Sequence, residues 1–193
     1  MDASKTGTSS KVTTRDRTPY APERPRLDFT RVAPGALQAM AGLELFVRQS
    51  GLEESLIELV RLRASLMNGC GFCVDMHTKD ARLAGESEQR LYAVPVWKEA
   101  PFFTTRERAA LAWTEALTDV AASGVPHDVY DRAVAEFGEE GLVALTIAIV
   151  AINGWNRLNV GFRAPVGQYV AGSVAKMFDA MAAGKGGSTQ HAA

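Results

Sequence analysis

The 193-residue sequence has no excess of charge of either sign, no long hydrophobic run and no convincing strand pattern. It has 21 basic and 22 acidic residues, which argues against nucleic-acid binding, since that function usually needs a basic excess or stripe. The polar N-terminus lacks the apolar segment of a secretory signal. The longest apolar run, residues 142–152, is well short of the ~20 residues that span a bilayer. We therefore expect a soluble, cytoplasmic protein.

Cysteine is also scarce, and its placement is informative. The two cysteines of the chain, Cys70 and Cys73, lie in NGCGFCVDMH, which ends at His77. In a reducing compartment a close pair is catalytic or metal-binding more often than structural. Zinc needs about four ligands, and the sequence has no second CxxC and no HxxxH. A redox-active dithiol is the favoured interpretation, with a metal site and an inert buried pair as alternatives.

The length suits one domain, and an apolar content of 47% allows it a sizeable core. Residues 1–25 are rich in Ser, Thr, Lys, Arg and Pro, which predicts a flexible polar arm. Residues 184–193 predict a flexible tail. We expect the folded domain to span residues 26–183.

Apolar residues recur at helical spacing through most of that domain. Gly69 and Gly85 predict helix ends, and Thr104 with Glu107 three positions later has the form of a capping box. The predicted helices span 34–49, 53–68, 71–83, 87–94, 104–122, 128–137 and 139–159. These short connections predict a single all-α domain with about six to eight helices. The last helix is apolar nearly all round, so it belongs in the core or in a subunit contact.

Near the end of that helix lie four large polar or aromatic residues, namely Asn153, Trp155, Asn156 and Arg157. The simpler interpretation is a capped helix end with a packed tryptophan. The alternative is that they line a pocket.

The spacing of the cysteines and the histidine places them together if the helix starts at or just before Cys70. At ~100° per residue, Cys70, Cys73 and His77 share one narrow stripe. Free N–H groups and the helix dipole favour a thiolate in the first turn, and a histidine one turn later can exchange a proton. The helix start favours Cys70 as the thiolate, whereas i, i+4 contact with His77 favours Cys73. The residues alone leave that choice open.

Glu58 stands in an otherwise apolar stretch, SLIELVRL. On one unbroken helix it would lie ~18 Å from Cys70. A chain reversal after Asn68 would instead lay two helices side by side and let Glu58 approach His77. That arrangement predicts a proton relay from Glu58 through His77 to a cysteine. The alternative is a surface glutamate paired with Arg61, three positions along its own helix.

Four residues in the spacing E-x11-C-x2-C-x3-H make the pattern specific, namely Glu58, Cys70, Cys73 and His77. This pattern resembles the alkylhydroperoxidase D-like proteins of the carboxymuconolactone decarboxylase superfamily. The flanking sequence RASLMNGCGFCVDMHTKDAR agrees, and the likeness covers about residues 35–165. The resemblance implies an all-helical homo-oligomer, a trimer or hexamer, with thiol peroxidase activity of the peroxiredoxin-like kind.

By the same resemblance Cys73 is attacked by the peroxide, Cys70 resolves the product, and Glu58 and His77 form the proton relay. It implies no bound cofactor, a small hydroperoxide substrate, and an external dithiol reductant that is a lipoyl protein or thioredoxin-like. The chain departs from the best-known alkylhydroperoxidase D at Phe72, where that protein has a histidine. Phe72 either lines a pocket or belongs to the core. The alternative functions are decarboxylation of a small lactone acid and redox sensing with little turnover.

Overall fold

The computed structural model describes residues 24–185, and within them it contains nine α-helices, one 3-10 turn and no strand. The helices are α1 (Phe29–Val32), α2 (Pro34–Gln49), α3 (Glu54–Met67), α4 (Gly71–Leu83), α5 (Glu88–Ala93), α6 (Thr105–Thr118), α7 (Val120–Ser123), α8 (His127–Phe162) and α9 (Ser173–Lys185). The 3-10 turn is Val94–Val96. The all-α prediction is confirmed. The predicted N-terminal arm and C-terminal tail lie almost wholly outside the described residues.

The number of described helices exceeds the predicted six to eight for local reasons. The predicted helix 104–122 is divided, because Asp119 leaves the helical conformation at φ −109° and ψ 32°. Two predicted helices instead join as α8, with a kink at Gly138, whose φ of 66° and ψ of 177° suit glycine. The short α1 and the C-terminal α9 were not predicted. The capping box at Thr104 is confirmed.

Helix α8 is the centre of the fold, as its all-round apolar sequence predicted. It packs against α2, α3, α4 and α6. Fully buried side chains of α3 and α8 meet there, including Val60, Leu145 and Ile149. Burying each side chain of this size contributes roughly 1.5–3 kcal/mol. The core therefore fixes α3 and α8 rigidly with respect to each other.

The chain reverses between α3 and α4, at the helix end that Asn68-Gly69 predicted. Gly69 adopts a φ of 65°, and its N–H donates to the carbonyl of Leu66. The N–H of Cys70 donates to the carbonyl of Ser65 at 3.0 Å. These bonds satisfy carbonyls at the end of α3 and fold the chain back. Helices α3 and α4 consequently lie side by side.

Both ends of the described chain pack near the C-terminal half of α8 and against α2. The N–H of Arg26 donates to the carbonyl of Phe162, and the ring of Phe29 lies between those of Trp155 and Phe162. Helix α9 contacts α2, where Arg48 pairs with Asp179. Among residues 24–185, no helix is long and apolar enough to cross a membrane.

Candidate active site

The two cysteines lie at the start of α4, where Cys70 is the N-cap residue. Its sulfur accepts the backbone N–H of Cys73 at 3.3 Å. Both residues are unpaired thiols and are only 1% and 0% exposed. Cys70 itself has extended backbone, so the predicted helical stripe holds for Cys73 and His77 but begins after Cys70. In the part of the chain that the structure describes, no group of three or more His, Cys, Asp or Glu residues could hold a metal.

The surroundings of the two thiols separate their acidities. A hydrogen bond from the Cys73 thiol lowers the pKa of Cys70 to about 7, helped by the Cys73 N–H and by Asn156 and opposed by burial. The pKa of Cys73 is raised because its proton is held by Cys70 and because burial disfavours its thiolate. The resting charge of the pair therefore lies on Cys70, as the position at the helix start predicted.

Glu58 and His77 meet across the α3–α4 pair. The Nδ1–H of His77 donates to Oε2 of Glu58 at 2.8 Å, and both residues are buried. Burial raises the pKa of Glu58, but the charge and hydrogen bond of His77, together with Arg61, outweigh it and lower that pKa to about 2. An ionised carboxylate can only accept, so Nδ1 carries a proton, and Nε2 is an acceptor whenever the ring is neutral. Nε2 is buried and has no hydrogen-bond partner among the described residues.

Arg61 holds the other oxygen of Glu58, so the ion pair and the contact with His77 exist together. Nη1 of Arg61 donates to Oε1 of Glu58 at 2.8 Å, and Nη2 donates to Glu44. The indole N–H of Trp155 donates to the second oxygen of Glu44 at 2.9 Å. Glu58 is only 7% exposed, so its interpretation as a surface glutamate is wrong. The two carboxylates share one guanidinium, which leaves Oε2 of Glu58 for His77.

Asparagine side chains of α8 form hydrogen bonds with the α3–α4 turn and with one sulfur of the dithiol. The amide of Asn156 accepts from Asn68 at 2.9 Å and donates to Ser65 at 3.0 Å. The amide of Asn159 donates to the sulfur of Cys73 at 3.4 Å. The interpretation of this region as a capped helix end is wrong, because α8 continues to Phe162.

A cavity of about 720 Å³ lies beside this arrangement. Its walls come from α2, α3, α4, α8, α9 and the segment before α1, and they include His77, Glu58 and Asn159. Phe72 lines it, as one of its two interpretations predicted, and makes an edge contact with Tyr169 at 6.3 Å between ring centres. Of the four residues near the end of α8 whose alternative interpretation was the lining of a pocket, Trp155 lines the cavity, and Asn153, Asn156 and Arg157 do not. The relay therefore faces a space large enough for a small organic molecule.

The structure thus brings together all four predicted site residues and adds others that were missed. Glu44 and Asn159 were not predicted. Glu44 stands between leucines in LELF, as Glu58 stands within LIEL, and each is an acidic residue on an apolar helix. Asn159 follows Asn153 and Asn156 at steps of three in a helix that is otherwise largely apolar. Because asparagine is a weak helix former, that repeat was the available signal.

Comparisons with known proteins agree on the fold and the family. The model of the carboxymuconolactone decarboxylase family matches residues 34–116. The uncharacterized protein YdfG of Bacillus subtilis is 39% identical over 135 residues, covering 70% of this chain and 92% of that protein. A crystal structure from Agrobacterium tumefaciens, of a protein of unknown function provisionally named antioxidant defence protein AhpD, is 44% identical with a TM-score of 0.73. That likeness covers 76% of this chain and 100% of the other. The debrominase Bmp8 shares the fold at 18% identity and a TM-score of 0.65, over 78% of each chain.

Proposed function

This chain belongs to the carboxymuconolactone decarboxylase family, and from that premise we propose that it is a thiol peroxidase that reduces hydroperoxides at Cys70 and Cys73. The observation that supports this best is the hydrogen bond of 2.8 Å between Glu58 and His77, whose second nitrogen has no partner among the described residues, one turn of α4 after Cys73. The fold alone does not select a reaction, since a debrominase shares it. The thiols and the relay favour peroxide reduction.

Cys73 is the proposed attacking thiol. Neither cysteine is part of the cavity wall, but the sulfur of Cys73 contacts Asn159, which lines the cavity, whereas Cys70 lies at the α3–α4 turn. The resting thiolate is on Cys70, so the proton of Cys73 first passes to Cys70 along the hydrogen bond between them. Cys70 thus acts as the base for Cys73 and, afterwards, as the resolving thiol.

Reduction of the hydroperoxide and oxidation of the dithiol then proceed in two steps. The Cys73 thiolate attacks the terminal oxygen of the hydroperoxide, the O–O bond breaks, and a sulfenic acid and an alkoxide form. The alkoxide becomes an alcohol by taking the proton from Cys70, delivered through Nε2 of His77. The Cys70 thiolate then attacks the sulfenic sulfur, the S–S bond forms, and the released hydroxide takes one proton from solvent to become water.

An external dithiol closes the cycle. It reduces the Cys70–Cys73 disulfide by thiol–disulfide exchange and is itself oxidised to a disulfide. A lipoyl protein or a thioredoxin-like protein is the expected donor.

The test is consumption of cumene hydroperoxide by the reduced protein with dihydrolipoamide or dithiothreitol as the donor. We expect turnover by the wild-type chain and none by Cys70→Ser or Cys73→Ser. With no dithiol donor present, Cys70→Ser should still form a sulfenic acid that a dimedone probe labels, but more slowly, because the attacking thiol remains and its base is lost. Cys73→Ser should not be labelled.

Three results would contradict this assignment. No consumption of cumene or t-butyl hydroperoxide by the wild-type protein would exclude a peroxidase. An activity on lactone acids that persists in both serine variants would indicate a decarboxylase. Rapid formation of the disulfide followed by negligible reduction with every donor would indicate a redox sensor.

A further inference from the structure

The cavity beside His77 is built mainly from apolar side chains, and the largest of them surround its space. They include Phe29, Leu37, Trp155, Phe162, Met177 and Phe178. A cavity of about 720 Å³ falls within the ~300–1,000 Å³ of sites that hold organic ligands of moderate size. Hydrogen peroxide needs only a small fraction of this volume. The walls therefore fit a ligand with a bulky apolar body.

Only one polar group of the relay has no hydrogen-bond partner among the described residues and can bind that ligand. Nε2 of His77 is buried and has no partner among residues 24–185, while Nδ1 is held by Glu58. A buried acceptor without a hydrogen bond costs roughly 1–3 kcal/mol, so a ligand that donates an O–H to it gains that free energy. A hydroperoxide carries such an O–H on its terminal oxygen, and His77 follows Cys73 by one turn of α4.

The charge of the described cavity wall excludes one large class of ligands. Five carboxylates contribute to the wall, namely Asp28, Glu44, Glu54, Glu58 and Asp80. Two guanidinium groups contribute, Arg48 and Arg61, so five negative and two positive charges leave a formal charge of −3. The charge remains negative even with His77 protonated.

Both guanidinium groups already have anionic partners. Arg61 is paired with Glu44 and Glu58, and Arg48 is paired with Asp179 at 2.9 Å. An anionic ligand would therefore lose its hydration in an apolar cavity without gaining an unpaired cation, and the surrounding negative potential would repel it.

We propose that this cavity selects electrically neutral, bulky apolar hydroperoxides and rejects those that carry a carboxylate. The proposal rests on the proposed peroxidase function and names the substrate class of the same site. It predicts that fatty-acid hydroperoxides are poor substrates as free acids and good substrates as methyl esters. The two differ only at the carboxyl group, where the ester replaces the negative charge with a methyl group.

The first experiment measures binding without turnover. Cumyl alcohol, the neutral product of cumene hydroperoxide, is titrated into the full chain by calorimetry and compared with its para-carboxylate, which has the same O–H group. We expect saturable binding of cumyl alcohol and an affinity for the carboxylate that is weaker by about tenfold or more, which corresponds to ~1.4 kcal/mol. Equal affinities would overturn the charge selection.

The second experiment fills the cavity without touching the relay. Ala175 lines the cavity on α9, and Ala180, on the same helix, is exposed and does not line it. We expect Ala175→Phe to lower kcat/KM for cumene hydroperoxide about tenfold and that for hydrogen peroxide by much less, because the smaller substrate still fits the remaining space. Ala180→Phe should change neither. Leu37→Trp fills the cavity from α2 and provides a second variant if Ala175→Phe does not fold.

The outcomes separate the two proposals. Selective binding of cumyl alcohol without turnover of any peroxide would overturn the peroxidase function and leave a site for neutral apolar ligands. Turnover of cumene hydroperoxide and hydrogen peroxide that is unaffected by Ala175→Phe and Leu37→Trp, with no binding of cumyl alcohol, would overturn the cavity assignment alone. Higher kcat/KM for a fatty-acid hydroperoxide than for its methyl ester would also overturn it.

Discussion

The acidity of Cys70 is the most direct consequence of the site geometry, and it predicts a specific titration. The Cys73 thiol, the Cys73 N–H and Asn156 lower the pKa of Cys70 from 9.0 to about 7. Two pKa units correspond to ~2.7 kcal/mol in favour of the thiolate. At pH 7 the ionised fraction of Cys70 consequently rises from about 1% to about 50%, roughly a fifty-fold gain in the thiolate that can take the proton of Cys73.

The perturbation that tests this cause is a matched pair of substitutions at Cys73. Cys73→Ser keeps an O–H that can donate to the Cys70 sulfur, so the pKa of Cys70 should stay well below 9.0. Cys73→Ala removes the donor, which is the largest cause of the shift, and leaves the opposing effect of burial. The pKa should then rise towards or above 9.0. The ultraviolet absorbance of the thiolate, followed against pH in the reduced protein, measures both values.

Cys70→Ser is the control that assigns the titration. It should abolish the absorbance step near pH 7, because it removes the group with the lowered pKa and leaves burial to raise the pKa of Cys73. A step near pH 7 that persists in Cys70→Ser would refute the placement of the charge. Identical midpoints for Cys73→Ser and Cys73→Ala would refute the thiol hydrogen bond as its cause.

Three further predictions concern the stability of the site and the fold. The pKa of Glu58 is lowered from 4.5 to about 2, so its ionised form contributes about 3 kcal/mol to the free energy of unfolding above pH 4.5, and this contribution is lost as the pH falls towards 2. Urea unfolding should show this loss in the wild-type protein and not in Glu58→Gln. Glu44→Gln leaves the buried Arg61 with one anionic partner, which should lower the free energy of unfolding in urea by ~2–4 kcal/mol and should lower peroxidase kcat. An unchanged kcat would show that Glu44 does not position the relay. Gly138→Ala places a side chain at φ 66° and should lower the free energy of unfolding by ~1–3 kcal/mol. The control Gly42→Ala, in α2 with open space around it, should be neutral or stabilising, and thermal unfolding measures both variants.

Local sequence rules predicted most of the helical segments. The bounds of α2 and α4 were predicted correctly, because their apolar spacing and flanking Gly or Pro residues act over a few positions. The helix end at Asn68-Gly69 was predicted for the same reason, since a positive φ at Gly69 is a local property. The reversal of the chain there was only the condition under which Glu58 could approach His77. Helix α9 was missed, and the end of α8 was placed too early at Asn159.

The sequence by itself determined which chemical groups the site contains, because two cysteines, one histidine and one glutamate at fixed spacing lie on two helices joined by a tight turn. Only the tertiary structure decided how those groups are charged and what they face. The lowered pKa of Cys70, the anchoring of Glu58 through Arg61 to Glu44, and the Asn159 contact with Cys73 join residues 3 to 86 positions apart. Such contacts depend on how α2, α3, α4 and α8 pack, and hydration, charge and hydrogen bonding in that packed interior set the reactivity.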